Sequence, residues 1–281
     1  MKAVIVYNPK SGSSLPASEL KSKFSAASID VIDLIDITQD FEQNIRQYIN
    51  VQDLTIVGYG GDGTLRSVAT KLVGTNSVFA PLPGGTLNHF TKDLGIDQDL
   101  DTAIKNLPDA TQTSIDAADI NGHIFLNNSS IGLYPSSLTE RSKIEKYIGK
   151  WPAALFASVK AFLLFKRYSV AINGESFQTP FIFVGNNAYD IDNFMNRQDL
   201  DKGTLSVYVV NSSRRSALLK ILLLSLIGKR HEATELKTYN TTSLDIHISK
   251  KRVRVSFDGE HRKLSTPLRY SLRAKSLRVL R

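Results

Sequence analysis

Three short loops in this chain of 281 residues have the composition of phosphate-handling loops. They read Asn8-Pro9-Lys10-Ser11-Gly12, Gly60-Gly61-Asp62-Gly63-Thr64 and Pro83-Gly84-Gly85-Thr86-Leu87-Asn88. Glycine lets a backbone approach an oxyanion closely and adopt positive φ where needed. Asp62 is the discordant member, because a carboxylate among such glycines repels phosphate. A divalent cation between the two removes the conflict, and Mg²⁺ takes one or two carboxylates together with phosphate oxygens. Asp62 is also well placed to cap a helix that starts near Thr64, and the two roles are compatible. A second carboxylate pair lies near the C-terminus in Phe257-Asp258-Gly259-Glu260. Anchored at the end of an apolar run, with glycine leaving room for a substrate, Asp258 suits a general base acting on a hydroxyl. Asp-Gly is equally the common dipeptide of a hairpin turn, and from the residues alone both readings stand.

The segments around these loops indicate how they are held. Lys2–Asn8, Val31–Ile35, Leu54–Val57 and Val78–Leu82 are short β-branched or apolar runs. Helical stretches around Leu20 and Phe24, Asp40–Ile49 and Leu65–Val73 separate them. Strands alternating with helices predict a parallel, doubly wound α/β sheet. The three loops follow the first, third and fourth strands, so they share the sheet edge where such folds bind ligands. Helices beginning at Leu65 and Asn88 would point free N–H groups at the same anion. That makes Asn8, Pro9, Lys10, Gly60, Gly61, Gly63, Thr64, Gly85, Thr86 and Asn88 the candidate cofactor-binding residues.

From about Thr113 the texture changes to short alternating runs, among them Ser114–Ile120, Phe181–Val184, Leu205–Val210, Val253–Phe257 and Leu268–Leu272. These predict a mainly antiparallel β-sandwich domain with two inserted apolar helices, 153–165 and 217–227. The expected division is 1–112 and 113–281, with the last strand free to return to the first domain.

Gly58-Tyr59-Gly60-Gly61-Asp62-Gly63 fits G-x-G-x-x-G literally. It follows the third strand rather than the first, and no acidic residue lies about 20 positions on, so it is not read as a dinucleotide fingerprint. No G-x-x-x-x-G-K-[ST] sequence occurs, which excludes a P-loop.

The chain has no cysteine, and its five histidines show no metal-ligand spacing, so zinc chemistry and disulfides are not expected. The net charge of +8 conceals an asymmetry. Residues 1–140 carry 9 basic and 16 acidic side chains, and residues 141–281 carry 26 and 11. The second half therefore calls for an anionic partner. No zinc finger, basic zipper or aromatic RNA-binding signature favours nucleic acid. The N-terminal apolar run is too short for a signal peptide, and no stretch reaches a membrane span, so a cytoplasmic protein is expected. Two basic, apolar segments, 151–167 and 217–230, are candidates for lying on an anionic membrane surface, although each could equally pack on the sheet.

Taken together, the motifs resemble a known family. Gly60-Gly61-Asp62-Gly63-Thr64 looks like the loop shared by diacylglycerol kinases, sphingosine kinases, NAD kinases and phosphofructokinases. Pro83-Gly84-Gly85-Thr86-Leu87-Asn88-His89-Phe90 resembles the P-x-G-T-x-N-x-F element of bacterial diacylglycerol kinase-like lipid kinases, and the N- and C-terminal motifs match in order. The resemblance implies an ATP site between an α/β domain and a β-sandwich, with Mg²⁺. It implies nucleotide contacts from Asn8, Gly61, Thr64, Thr86 and Asn88, and a metal-linked network of Asp62 and Asp116. It also implies a catalytic role for Asp62, a base at Asp258 and Glu260 beside it. Two positions depart from the pattern: His89 stands where lipid kinases often have Asp, and Lys202 interrupts the acidic motif Leu200–Leu205. The expectation is an ATP-dependent lipid kinase, peripheral at the membrane, with a lipid hydroxyl as acceptor and a homodimer left open. A soluble-substrate kinase of the NAD kinase type and a catalytically silent binding module are the alternatives.

Overall fold

The structure is a computed structural model that describes residues 1–12, 14–132, 167–172, 174–190, 196–197, 199–212, 220–221, 224 and 234–281. These form two compact units, Met1–Ala117 with Arg273–Arg281, and Ala118–Leu272.

The first unit alternates strand and helix. Its order is β1 (Lys2–Tyr7), α1 (Ala17–Ala26), β2 (Asp30–Asp36), α2 (Phe41–Arg46), β3 (Leu54–Gly60), α3 (Asp62–Leu72), β4 (Val78–Pro83), α4 (His89–Asp93) and α5 (Leu100–Asn106). β1 pairs in parallel with both β2 and β3, and β3 pairs in parallel with β4. The order β2-β1-β3-β4 reverses direction between β1 and β3. Both faces of this sheet are covered, as the continuous apolar runs of its strands require. Ala3, Ile5, Val57, Tyr59, Ala80 and Leu82 pack with Leu20 and Phe24 of α1 and Ala103 and Ile104 of α5. The alternate residues Val4, Val6, Ile56 and Phe79 are equally buried, as are Leu65, Val68 and Leu72 of α3. The fold class expected from the alternation is the one observed.

The second unit is a β-sandwich. β5 (Gln112–Ile120) leads into it and is followed by β6 (His123–Phe125), β7 (Asn128–Gly132), β8 (Tyr168–Ile172), β9 (Glu175–Thr179) and β10 (Phe181–Asn186). Then come β11 (Tyr189–Asp190), β12 (Asn196–Arg197), β13 (Leu205–Val210), β14 (Leu236–Thr241), β15 (Ser243–Ile248), β16 (Arg252–Phe257), β17 (Glu260–Ser265) and β18 (Leu268–Leu280). One antiparallel sheet runs β14-β13-β10-β7-β16-β17. The other layer pairs β18 with β15, β15 with β8, and β8 with β9, all antiparallel. A single core joins them, including Ile131, Ile182, Val184, Val207 and Val255 from the first sheet and Val170, Ile172, Leu244 and Ile246 from the second. Those residues alternate along each strand, the period-2 pattern of a half-covered antiparallel sheet.

The compact units divide at Ala117/Ala118, inside β5, rather than at 112. The change of texture at Thr113 marks where β5 begins, and β5 is long enough to belong to both units. β18 does the same: its far end pairs in parallel with β4 at Arg278 and Val279. Of the two expected inserted helices, 153–165 lies outside the described residues. Within 217–227 only Lys220, Ile221 and Leu224 are described, all helical. Among the described residues no helix is long and apolar enough to cross a membrane.

Candidate functional site

β1 and β3 stay paired to their C-terminal ends, at Tyr7 and Tyr59, and from there the chain leaves them for opposite sides of the sheet. This is the switch point at which open α/β sheets bind ligands. The first two loops flank it. Asn8 is the pivot: its backbone N–H donates to Tyr59 O at 3.3 Å, and its Nδ2 donates to Thr64 Oγ1 at 3.2 Å. Its Oδ1 accepts the Lys10 N–H at 2.9 Å, which folds the first loop into a tight turn. Ser11 Oγ donates to Gly84 O and so ties the first loop to the third.

The second and third loops touch backbone to backbone. A Cβ on Gly85 would lie 2.5 Å from Gly61 Cα, and one on Gly84 would lie 2.8 Å from Gly60 Cα and 2.7 Å from the Tyr59 ring. No side chain fits at either position. Here glycine is required by proximity, whereas at Gly63 an added Cβ would meet nothing within 4 Å. The opening beside these loops is a cavity of about 420 Å³ lined by Asn8, Ser11, Ile37, Gly61, Gly63, Thr64 and Ser67. Its size lies in the range that holds small ligands. Its lining of hydroxyls, an amide and bare glycine backbone is suited to an oxyanion.

Asp62 begins α3, and its carboxylate serves the neighbouring loop. Oδ1 accepts the Phe90 N–H at 2.9 Å, and Oδ2 accepts the His89 N–H at 3.2 Å. It therefore caps α4, not its own helix, and satisfies donors that the first turn of a helix leaves open. Asn88 completes the turn in the left-handed region, φ 51°, with Oδ1 accepting the Gly85 N–H at 2.9 Å. Thr86 and His89 are exposed, and a Cβ added to Gly12 would lie 3.9 Å from Thr86 Oγ1. The replacement of Asp by His at 89 thus falls where the backbone, not the side chain, holds Asp62. Pro9 and Lys10 are exposed at the tip of the first loop.

The structure brings together Asn8, Gly60, Gly61, Asp62, Gly63, Thr64, Gly85 and Asn88. Asp116 is buried on β5, where it accepts the Lys275 N–H at 2.7 Å at the point where β18 kinks with φ 48°. Among the described residues no three His, Asp or Glu side chains converge as metal ligands. Mg²⁺ needs fewer, because phosphate oxygens and water complete its shell. A carboxylate oxygen that accepts one amide keeps lone-pair capacity, so Asp62 fits a one-carboxylate site of that kind.

In the second unit Asp258 and Gly259 are the two central residues between β16 and β17, both at positive φ, 46° and 81°. That is the two-residue turn whose twist matches a hairpin. The Asp258 carboxylate accepts three successive backbone amides: Leu126 at 2.7 Å, Asn127 at 2.8 Å and Asn128 at 3.2 Å. It closes the β6–β7 loop onto the hairpin. Arg197 is buried beside that loop, with NH1 donating to Leu126 O at 2.6 Å and NH2 to Asn127 Oδ1 at 2.8 Å. Glu260 is half-exposed, with Arg262 NH2 at 3.8 Å. Lys202 is exposed and pairs with Asp199 at 3.5 Å.

Sequence reasoning missed Ser67, Ile37 and Arg197. Ser67 lies one helical turn beyond Thr64, and that spacing was a usable signal. Arg197 finds its partners some 70 residues away, and no local pattern announces them.

Residues 2–120 match the family model described as the diacylglycerol kinase catalytic domain. Among curated proteins, diacylglycerol kinases of Staphylococcus aureus strains JH9 and Newman are each 23% identical over 280 residues, covering 92% of this chain and 86% of the relative. The crystal structure of a diacylglycerol kinase from Bacillus anthracis str. Sterne superposes with a TM-score of 0.74 at 23% identity, covering 99% of this chain and 96% of that one. That structural likeness establishes the shared fold.

Proposed function

We propose that this chain, whose residues 2–120 match the family model of the diacylglycerol kinase catalytic domain, is an ATP-dependent lipid kinase. It would transfer the γ-phosphoryl group of ATP to a hydroxyl of diacylglycerol or a related lipid. The observation that carries this reading is the interlocking of the three loops at the β1/β3 switch point. Asn8–Thr64, Ser11–Gly84 and the Gly61/Gly85 contact hold them as one rim around an open, hydroxyl-lined cavity. The names of the S. aureus relatives support a lipid acceptor.

Phosphoryl transfer asks a protein mainly to position the phosphates, to neutralise charge and to align the acceptor. In this chain Asn8, Gly61, Gly63 and Thr64 would bind the phosphates, with no Cβ in the way at either glycine. Asp62 would hold Mg²⁺, which when bound supplies charge neutralisation at the phosphates. Its bonds to the His89 and Phe90 amides fix the carboxylate before any ligand arrives, which lowers the ordering cost. Asp258 is the proposed base for the acceptor hydroxyl. Its oxygens already accept three amides, so it would act through remaining lone-pair capacity, with Glu260 as the nearest substitute.

The test is incubation of the protein with labelled ATP, Mg²⁺ and a total lipid extract, in parallel with NAD. Label in a lipid-soluble product supports the reading. Label in NADP supports the soluble-substrate kinase instead, and ATP binding with no labelled product supports a silent binding module.

A further inference from the structure

The β16–β17 hairpin carries a row of cations on the face of its sheet opposite the core. Val253, Val255 and Phe257 belong to the core, so Arg252, Arg254 and Ser256 lie on the other face, which is exposed at Arg252 and Arg254 and buried at Ser256. Cross-strand pairing sets Arg254 directly opposite Lys263, and Arg252 opposite Ser265. Arg252, Arg254 and Lys263 are exposed, and none makes an ion pair among the described residues. Lys250 and Lys251 are exposed at the turn that precedes β16, but Lys250 lies over the Tyr168 ring of the other sheet at 5.2 Å and is not part of the row.

Like charges directly opposite one another in a sheet destabilise it. A protective charge on an edge strand would explain Lys263, because β17 is the edge of its sheet. It does not explain Arg252 and Arg254, because β16 lies inside the sheet between β7 and β17. An acidic residue opposite Arg254 would guard the edge equally well and remove the repulsion. The row thus has the form of a surface that holds cations together for an external anion.

We infer that this cationic face of the β16–β17 hairpin docks on an anionic membrane surface. The inference rests on the lipid-kinase reading. The occupant is a membrane and not a nucleic acid because the same hairpin ends in the Asp258-Gly259 turn, which carries the proposed base. Docking through these strands would bring that turn to the layer where a lipid hydroxyl lies. Electrostatic attraction of this kind acts per cation and weakens with salt.

The experiment is co-sedimentation of the full chain with vesicles of phosphatidylcholine alone or mixed with phosphatidylglycerol. The variants are Arg254→Gln with Lys263→Gln, and as a control Lys21→Gln with Lys105→Gln, two exposed lysines of the first unit. Binding is expected only with phosphatidylglycerol present, falling with added salt. The hairpin variant should lose roughly thirty-fold in partitioning, the scale for two cations near such a surface. The control should partition like the unaltered chain, because it removes no cation from the hairpin face. A second variant, Lys263→Glu, relieves the cross-strand repulsion, so its melting temperature should hold or rise while vesicle binding falls. Unchanged partitioning in folded hairpin variants overturns the inference, as does binding to duplex DNA without binding to vesicles. Hairpin-dependent vesicle binding in a protein that labels no lipid would overturn the proposed function and leave the docking surface standing.

Discussion

Asp62-Gly63 and Asp258-Gly259 are the same dipeptide at the ends of two strands, one in each compact unit, and in both the carboxylate accepts successive backbone amides. Their surroundings make them different devices. Asp62-Gly63 opens an α-helix beside two other loops, and its glycine faces an open cavity. Asp258-Gly259 has both residues at positive φ and turns one strand back on its neighbour. In the first site the glycines of the partner loop are demanded by close backbone approach, and in the second the glycine is demanded by φ. A carboxylate-glycine pair thus becomes part of a binding rim only where other loops converge on it.

The strongest way to break this contrast is Asp62→Asn. Turnover should fall to background, because the carboxylate proposed to hold the cation is gone. The loss of a charged cap on α4 should cost only about 1 kcal/mol. Near-normal kcat in a folded Asp62→Asn protein would reduce Asp62 to a cap.

Next in size is Asp258→Asn, expected to lower kcat by about 10² or more, the usual contribution of a general base. The KM for ATP should move little. Glu260→Gln should be the milder change. If the two effects reverse, Glu260 is the base and Asp258 serves only the β6–β7 loop. If both variants remain active while Asp258→Asn melts at lower temperature, the hairpin is purely structural.

The glycines sharpen the comparison further. Gly85→Ala pushes a methyl into the Gly61 backbone and should cost about 1–3 kcal/mol, as overpacking does. Gly63→Ala meets no protein atom and lies in a helix, where alanine is favoured by about 1 kcal/mol. It should fold as well as the parent yet bind ATP more weakly if the cavity is the nucleotide site. Calorimetric titration with ATP beside melting curves separates the two effects.

The smallest expected effect concerns His261, next to the second dipeptide. Burial, and then the Arg254 charge, hold its imidazole below the ordinary value of 6.5. The unfolded chain therefore takes up a proton on this residue at a higher pH than the folded chain does. Stability from the neutral imidazole is present above 6.5 and is lost as pH falls toward the lower folded value. His261→Gln should flatten the fall in melting temperature across that window. A slope identical to the parent's would show that other groups set it.

Much of the first unit was legible in the sequence because its signals are local. Apolar runs such as Leu54–Val57, glycine-marked turns and helical spacing each act over a few residues, and their alternation implies a parallel sheet. The sequence alone assigns the three loops to one edge, since loops that follow parallel strands must share it. The sandwich class followed from period-2 alternation in the same way.

What only the tertiary structure decided involves contacts between distant segments. Composition marks Asp62 as unusual, but not that it caps α4 from 27 residues away. No spacing rule pairs Asp258 with amides some 130 residues earlier, or buries Arg197 against the same loop. Nor does sequence show that Arg254 faces Lys263, because a one-residue slip in register would send one of them to the other side of the sheet. Residue types set which chemistry each segment can perform through local sterics and charge. Which carboxylate meets which amide depends on chain entropy and packing summed over the whole fold, and so it appears only once the chain has closed on itself.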